Sequence, residues 1–252
     1  MLLAIDVGNT QTVFGLFDGE RLAQHWRIAT EAHRTGDELG VFLGGFLGDV
    51  ALEGIVLSST VPALLRAYEE LAERRGVELL AMGPGVRTGI PVRYDDPREV
   101  GPDRIANAIA AKERYGAPCV VVDFGTSTNF DVVSGAGEYV GGVLAPGIEI
   151  SMDALFARAA RLFKVDYVEP PAVIGKNTAN SLQSGLVYGF AGQVDAIADR
   201  IRGELGAPDA PVVATGGLCD LIAPHTRTIG RVDPWLTLEG LRLVWERNAT
   251  DA

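Results

Sequence analysis

Residues 6–12 read Asp6-Val7-Gly8-Asn9-Thr10-Gln11-Thr12, set between the apolar runs Leu2-Leu3-Ala4-Ile5 and Val13-Phe14-Gly15-Leu16-Phe17. Two strands joined by a tight turn at Gly-Asn explain that layout. Amides exposed at such a turn, with Asn and Thr side chains around them, can wrap a phosphate. An acid closing the first strand can hold a hydrated Mg²⁺ that faces the same phosphate. In isolation a purely structural hairpin with a polar, solvent-facing turn would look the same.

The chain writes the pattern a second time. Residues 119–133 read Cys-Val-Val-Val-Asp123-Phe-Gly125-Thr126-Ser127-Thr128-Asn129-Phe-Asp-Val-Val, again an apolar strand, an acid, a glycine, a hydroxyl cluster and a second apolar strand. Asp123 falls on Asp6 at an offset of 117 residues, close to half of the 252-residue chain. The duplication predicts two related lobes, residues 1–116 and 117–252, each presenting a phosphate-facing loop to a shared cleft.

Composition narrows the partners. The formal net charge of −11 argues against nucleic acid or anionic membrane as a bulk partner, because both need a basic face. An anionic substrate must then be met by local counter-charge from Arg, Mg²⁺ or amide dipoles. No apolar run reaches the 18 or so residues of a membrane span, and the N-terminus opens directly into a strand, so a cytoplasmic protein is expected. Cys119 and Cys219 stand 100 residues apart without a C-x-x-C or a Cys/His cluster, which reads as two buried, inert thiols.

In order along the chain, residues 21–29 read as a third strand. Leu39, Phe42, Leu43, Phe46 and Leu47 recur at helical spacing with Asp37 as the expected cap. A buried strand at 54–58, a helix after Pro62 and a strand at 77–82 complete a β-β-β-α-β-α-β order. That order fits an α/β lobe of the ribonuclease-H type, a mixed sheet flanked by helices. Residues 83–102 form a long Gly/Pro-rich loop with one short strand at 90–94, and loops of that length are often functional. The loop delivers Asp103-Arg104 at the start of a helix with Ile105, Ala108 and Ile109 inward. The second half adds a strand at 138–144 containing Gly141-Gly142, helices at 151–163 and 180–202, a strand at 211–215 ending in Gly216-Gly217, and a C-terminal helix. Gly185, Gly189 and Gly192 line one face of the longer helix and are expected to admit a close neighbour.

Three loops converge on a nucleotide: residues 6–12, residues 123–128 and Thr215-Gly216-Gly217, whose bare backbone could lie against an adenine or ribose. The chain lacks both G-x-x-x-x-G-K-[ST] and G-x-G-x-x-G, so neither a P-loop nor a Rossmann site is indicated. Gly101-Pro102-Asp103-Arg104 reads in two ways. Asp can cap the helix while Arg makes a surface ion pair, or the acid is a general base beside a guanidinium that binds an anion.

These motifs, together with Gly141-Gly142, Pro146-Gly147 and Ile174-Gly175-Lys176-Asn177-Thr178, fall in the order seen in type III pantothenate kinases, and the chain resembles that family along its whole length. The family belongs to the actin, sugar-kinase and heat-shock-chaperone superfamily, whose two ribonuclease-H-like lobes agree with the duplication. The resemblance implies transfer of the ATP γ-phosphoryl to the primary hydroxyl of pantothenate, the first step of coenzyme A synthesis. It places ATP phosphates at Asp6, Val7, Gly8, Asn9, Thr10, Gln11, Thr12 and Val13, with Asp6 near Mg²⁺ and Thr126 also on ATP. It makes Asp103 the base, and Asp123 the ligand of a monovalent cation, K⁺ or NH₄⁺. Tyr94, Gly101, Pro102, Asp103, Arg104 and Thr178 line the pantothenate pocket, and the protein is a homodimer. The family often has Ala where Pro102 stands and Ala-Thr-Thr where Ser127-Thr128-Asn129 stands, departures that spare the acids. Two alternatives remain: a superfamily kinase for another small alcohol, or a nucleotide-binding regulator without transfer activity.

Overall fold

Each apolar run around the opening turn becomes a strand. In a computed structural model, which describes residues 1–159 and 162–249, β1 (Leu2–Val7) and β2 (Gln11–Asp18) pair antiparallel, with Val7 opposite Thr12. β3 (Arg21–Ala29) extends this meander. β4 (Gly54–Ser59) and then β5 (Glu78–Ala81) add in parallel on the other side of β1, giving the order β3-β2-β1-β4-β5. β1 is covered on both faces, which is why Leu2 to Ile5 form an unbroken apolar run instead of an alternating one.

α1 (Gly36–Leu47) and α2 (Leu65–Arg75) cover one face, where Leu39, Leu43, Tyr68 and Leu71 pack on Leu3, Ile5, Phe14 and Leu57. The cap of α1 differs from expectation. Thr35 fills it, not Asp37: the Thr35 hydroxyl accepts from the Glu38 amide at 3.3 Å, and the Glu38 carboxylate accepts from the Thr35 amide at 2.8 Å. This reciprocal pair satisfies two first-turn donors at once and leaves Asp37 to pair with Arg74 of α2. The Glu38 carboxyl is held below its ordinary range by those Thr35 bonds.

The second sheet repeats the first. β6 (Cys119–Phe124), β7 (Ser127–Val133) and β8 (Tyr139–Pro146) form the meander, and β9 (Val212–Gly216) and β10 (Ile229–Val232) add in parallel, in the order β10-β9-β6-β7-β8. Read from the β8 edge, this is the connectivity of the first sheet. The expected α/β architecture of two mixed sheets flanked by helices is therefore present. β10 escaped the sequence reading because only four residues make it and three of them are exposed. α4 (Ile148–Arg158) and α5 (Thr178–Leu205) pack on Val120, Val122, Phe130 and Val132, and α6 (Cys219–Ile222) closes the same core. Residues 160 and 161 of the helix expected at 151–163 lie outside the described residues. The glycine face of α5 is a correction: Gly185, Gly189 and Gly192 are exposed, and among the described residues nothing beyond their own helix backbone and chain neighbours comes within 4 Å of where a Cβ would stand, because the buried face of α5 is carried by Leu186, Val187, Val194 and Ala198.

The chain divides into two compact units. One contains Met1–Ile90, Asp95–Ala110 and the C-terminal segment from Leu236; the other contains Pro91–Tyr94 and Ala111–Trp235. The changeover nearest to residue 116 thus falls inside α3 (Pro102–Tyr115), and α7 (Leu236–Ala249) belongs with the first sheet. There Trp245 occupies the space a side chain at Gly54 would need. Asn248 clasps the start of the long loop, accepting from the Arg87 amide at 3.1 Å and donating to its carbonyl at 3.0 Å. The strand expected at 90–94 shrinks to a single parallel bridge between Val92 and Tyr139, since Pro91 has no N–H with which to extend a ladder. No described helix is long and apolar enough to cross a membrane.

Candidate active site

In the first unit, β1 ends at an open turn. The Gly8 amide donates to the Gln11 carbonyl at 3.1 Å, and Asn9, Thr10 and Gln11 are exposed. Val7 and Thr12 are buried, and the Thr12 hydroxyl is engaged with Thr30 at 2.9 Å and with the Tyr68 phenol, whose pKa burial pushes up to about 12. The Thr12 hydroxyl thus faces inward to Thr30 and Tyr68, and the side chains presented at the turn are those of residues 9–11. Asp6 is half-buried and lies directly across from Ser58 in the β1–β4 register. Ser58 was not singled out in the sequence. It is fully buried, and its hydroxyl has no hydrogen-bond partner among the described residues. The signal for it was present: Ser58-Ser59-Thr60 is a hydroxyl cluster closing an apolar strand, as in the two turns.

The same unit holds residues 101–104. The Gly101 carbonyl accepts from the amides of Arg104 at 3.1 Å and Ile105 at 3.2 Å, so Gly101 caps α3 and Asp103 sits in its first turn. Burial raises the Asp103 pKa above the ordinary carboxylate range, opposed by bonds from the Arg104 and Asp103 amides and by the Arg104 charge. Its Oδ1 is buried without a hydrogen-bond partner among the described residues. A Cβ on Gly101 would collide with that oxygen, so glycine is required for the carboxylate to fold back there. Arg104 is buried, at 7% exposure, which removes the reading of a surface ion pair. A buried, proton-hungry carboxylate at a helix N-terminus is suited to general-base work.

In the second unit the repeated turn is crowded. Gly125 and Thr126 are exposed at its tip, but a Cβ on Gly147 would overlap the Thr126 carbonyl. Gly216 has φ +90°, and a Cβ there would stand 2.5 Å from Asp123 Oδ1 and 2.6 Å from the Phe124 carbonyl oxygen. Asp123 Oδ1 and the Phe124 carbonyl thus converge on the bare backbone of Gly216. The Ser127 hydroxyl donates to Asn129 Oδ1 at 2.7 Å, so those two side chains serve each other. Tyr94 is half-buried beside β8, its ring 6.5 Å from that of Tyr139. Thr178 is exposed in the first turn of α5, which Asn177 caps by accepting from the Asn180 amide at 2.8 Å. Both cysteines are buried and free, and burial pushes the Cys119 thiol up to about 12 and the Cys219 thiol up to about 11, consistent with inert packing groups.

A model of the type III pantothenate kinase family matches residues 2–200. The chain belongs to that family. A type III pantothenate kinase of Acidothermus cellulolyticus is 55% identical, with all of both chains covered. One of Frankia alni is 54% identical over 98% of this chain and 100% of its own. Among solved structures, a Campylobacter jejuni protein provisionally described as a Baf family transcriptional activator superposes with a TM-score of 0.63 at 19% identity, covering 98% of each chain. A Sinorhizobium meliloti protein provisionally described as a 2-dehydro-3-deoxygalactonokinase gives 0.58 at 14% identity, covering 100% of each. The last two likenesses establish the fold alone. The family membership agrees with the resemblance carried by the motifs.

Proposed function

We infer that the chain transfers the γ-phosphoryl of ATP to the primary hydroxyl of pantothenate, giving 4'-phosphopantothenate, the first step of coenzyme A biosynthesis, in the cytoplasm. The observation that carries this reading, within a chain of this family, is Asp103: a buried carboxylate of raised pKa with one oxygen awaiting a partner. In the reaction Asp103 accepts the hydroxyl proton as the new O–P bond forms and the bond from the γ-phosphorus to the bridging oxygen of ADP breaks. Phosphoryl transfer needs little covalent help, so the remaining residues position substrates and offset charge.

The open turn serves the nucleotide phosphates. Residues Asp6 to Val13 would hold them, by backbone at Val7 and Thr12 and by side chains at Asn9, Thr10 and Gln11, with Thr126 also contacting ATP. The oxygens at Asp6 and the fully buried, unpartnered Ser58 hydroxyl beside it fit a hydrated Mg²⁺. When bound, that ion offsets phosphate charge. Asp123 Oδ1 and the Phe124 carbonyl are oxygen donors of the kind a weakly hydrated K⁺ or NH₄⁺ takes, and such an ion, when bound, would supply positive charge. Tyr94, Gly101, Pro102, Arg104 and Thr178 would bind pantothenate, whose carboxylate the buried Arg104 suits. The working form is a homodimer.

The test is an ADP-release assay with ATP, Mg²⁺ and a panel of hydroxyl acceptors, run in K⁺ and then in Na⁺. Turnover with pantothenate, faster in K⁺, is expected; turnover with a sugar and none with pantothenate would overturn the reading. Asp123→Asn should weaken activation by K⁺, and an unaltered K⁺ response would remove Asp123 from the cation site.

A further inference from the structure

Within the second unit, a buried carboxylate sits where packing alone would not put one. Asp131 lies in the middle of β7 between Phe130 and Val132, with no exposed surface. Burying an ionisable group there is unfavourable unless it is bonded, and an apolar pair of similar volume would serve stability as well. Asp131 Oδ1 accepts from the Tyr139 hydroxyl at 2.9 Å, and Tyr139 is itself fully buried at the start of β8.

Tyr139 in turn holds residues 91–93, which lead into Tyr94. Its amide donates to the Pro91 carbonyl at 2.9 Å, and its carbonyl accepts from the Arg93 amide at 2.7 Å. The adjacent Glu138 carboxylate pairs with the Arg93 guanidinium at 2.8 Å. Two residues on, Gly141 has φ +113°, and the Tyr94 ring lies 3.4 Å from where its Cβ would be. Glycine here provides both the backbone conformation and a floor for the ring.

We propose that Asp131, Tyr139, Glu138 and Gly141 form a seat that presets Tyr94 for pantothenate, making them positioning residues and acceptor-affinity determinants of the reaction. The proposal rests on the assignment of Tyr94 to the pantothenate pocket. A ring fixed before the substrate arrives spares the ordering cost of binding. The seat contributes equally to ground state and transition state, so its loss appears in KM and not in kcat.

The experiment is steady-state kinetics of the full chain with Tyr94→Ala, Tyr139→Phe, Asp131→Asn and Glu138→Gln, with melting temperatures recorded. Tyr139→Phe removes one buried hydrogen bond and should raise the pantothenate KM about 10-fold, with kcat and the ATP KM within about 2-fold. Asp131→Asn keeps an acceptor oxygen for Tyr139 and should show only a small part of that rise. Glu138→Gln breaks a half-exposed ion pair without threatening the fold and should raise the pantothenate KM about 2-fold. If Tyr94→Ala leaves the pantothenate KM unchanged, the assignment of Tyr94 falls, and the seat with it. If Tyr94→Ala raises it while neither Tyr139→Phe nor Glu138→Gln does, only the seat is overturned. Equal rises in both KM values that track a lower melting temperature would reduce the cluster to a packing role. Should Tyr139→Phe not fold, Glu138→Gln decides.

Discussion

The two hairpin turns share a sequence pattern and a strand order but differ in how tightly they are enclosed. The turn after Asp6 exposes residues 9–11; a Cβ on Gly8 would press on the Gln11 carbonyl at 3.1 Å, whereas one on the equivalent Gly125 would have ordinary clearance, 3.6 Å from Asp123 Oδ1. The turn after Asp123 is walled by Gly147 against the Thr126 carbonyl and by Gly216 against Asp123 and Phe124. Duplication has therefore preserved the scaffold while the surroundings of the two turns differ. The first copy presents the polar side chains of Asn9, Thr10 and Gln11, which suit the proposed phosphate ligand. The walled copy holds two oxygens in fixed positions, which suits a small ion. The first unit also carries Asp103.

The comparison can be broken at its most enclosed point. Gly216→Ala places a methyl group against Asp123 Oδ1 on a backbone that non-glycine residues resist, and should cost about 3 kcal/mol or more of stability. A denaturant midpoint close to that of the parent would show the second turn to be looser than described. Next in size, Asp103→Asn should lower kcat about 100-fold or more while ATP binding, followed by calorimetry, persists. Unchanged turnover would remove Asp103 as the base.

The same substitution has a pH signature. Because burial raises the folded-state pKa of Asp103, the fold bears no penalty at pH below the ordinary carboxylate range, where the residue is protonated folded and unfolded. Stability is lost as pH rises from that range through the raised value, since the unfolded chain ionises first. Asp103→Asn should therefore melt higher than the parent at neutral pH and level with it in acid. Parent kcat/KM should fall as pH drops through the raised pKa. A melting difference that is constant with pH would remove the burial penalty from Asp103. The smallest effect is expected at Gly8→Ala, where the neighbour is one carbonyl at an open turn: a rise of a few-fold in the ATP KM, and less than about 1 kcal/mol in stability. A loss as large as that of Gly216→Ala would erase the distinction between the two turns.

Much of this was legible because the repeated signals are local. An apolar run, an acid, a glycine and hydroxyls name a strand and its turn without reference to anything distant, and both sheets follow. What escaped depends on contacts far apart in sequence or on exposure. β10 is a short edge strand with no apolar run. Thr35 outcompeted Asp37 as a cap because Glu38 could answer it. The α5 glycines face outward because the neighbouring aliphatic residues took the buried side. In the candidate site the acids were found by motif, but the burial of the Thr12 hydroxyl, the placement of Ser58 across from Asp6 and the hold of Tyr139 on residues 91–93 arise only when strands meet.

α7 has one more consequence, for the order of assembly. The first sheet is specified by residues near the start of the chain, yet Trp245 fills the space over Gly54 and Asn248 pins Arg87. Those residues leave the ribosome after every strand of both sheets. During synthesis the second unit can close first, while the earlier-made sheet waits with its β1–β4 face uncovered. A nascent chain stalled before residue 236 would thus display that apolar face to chaperones and proteases.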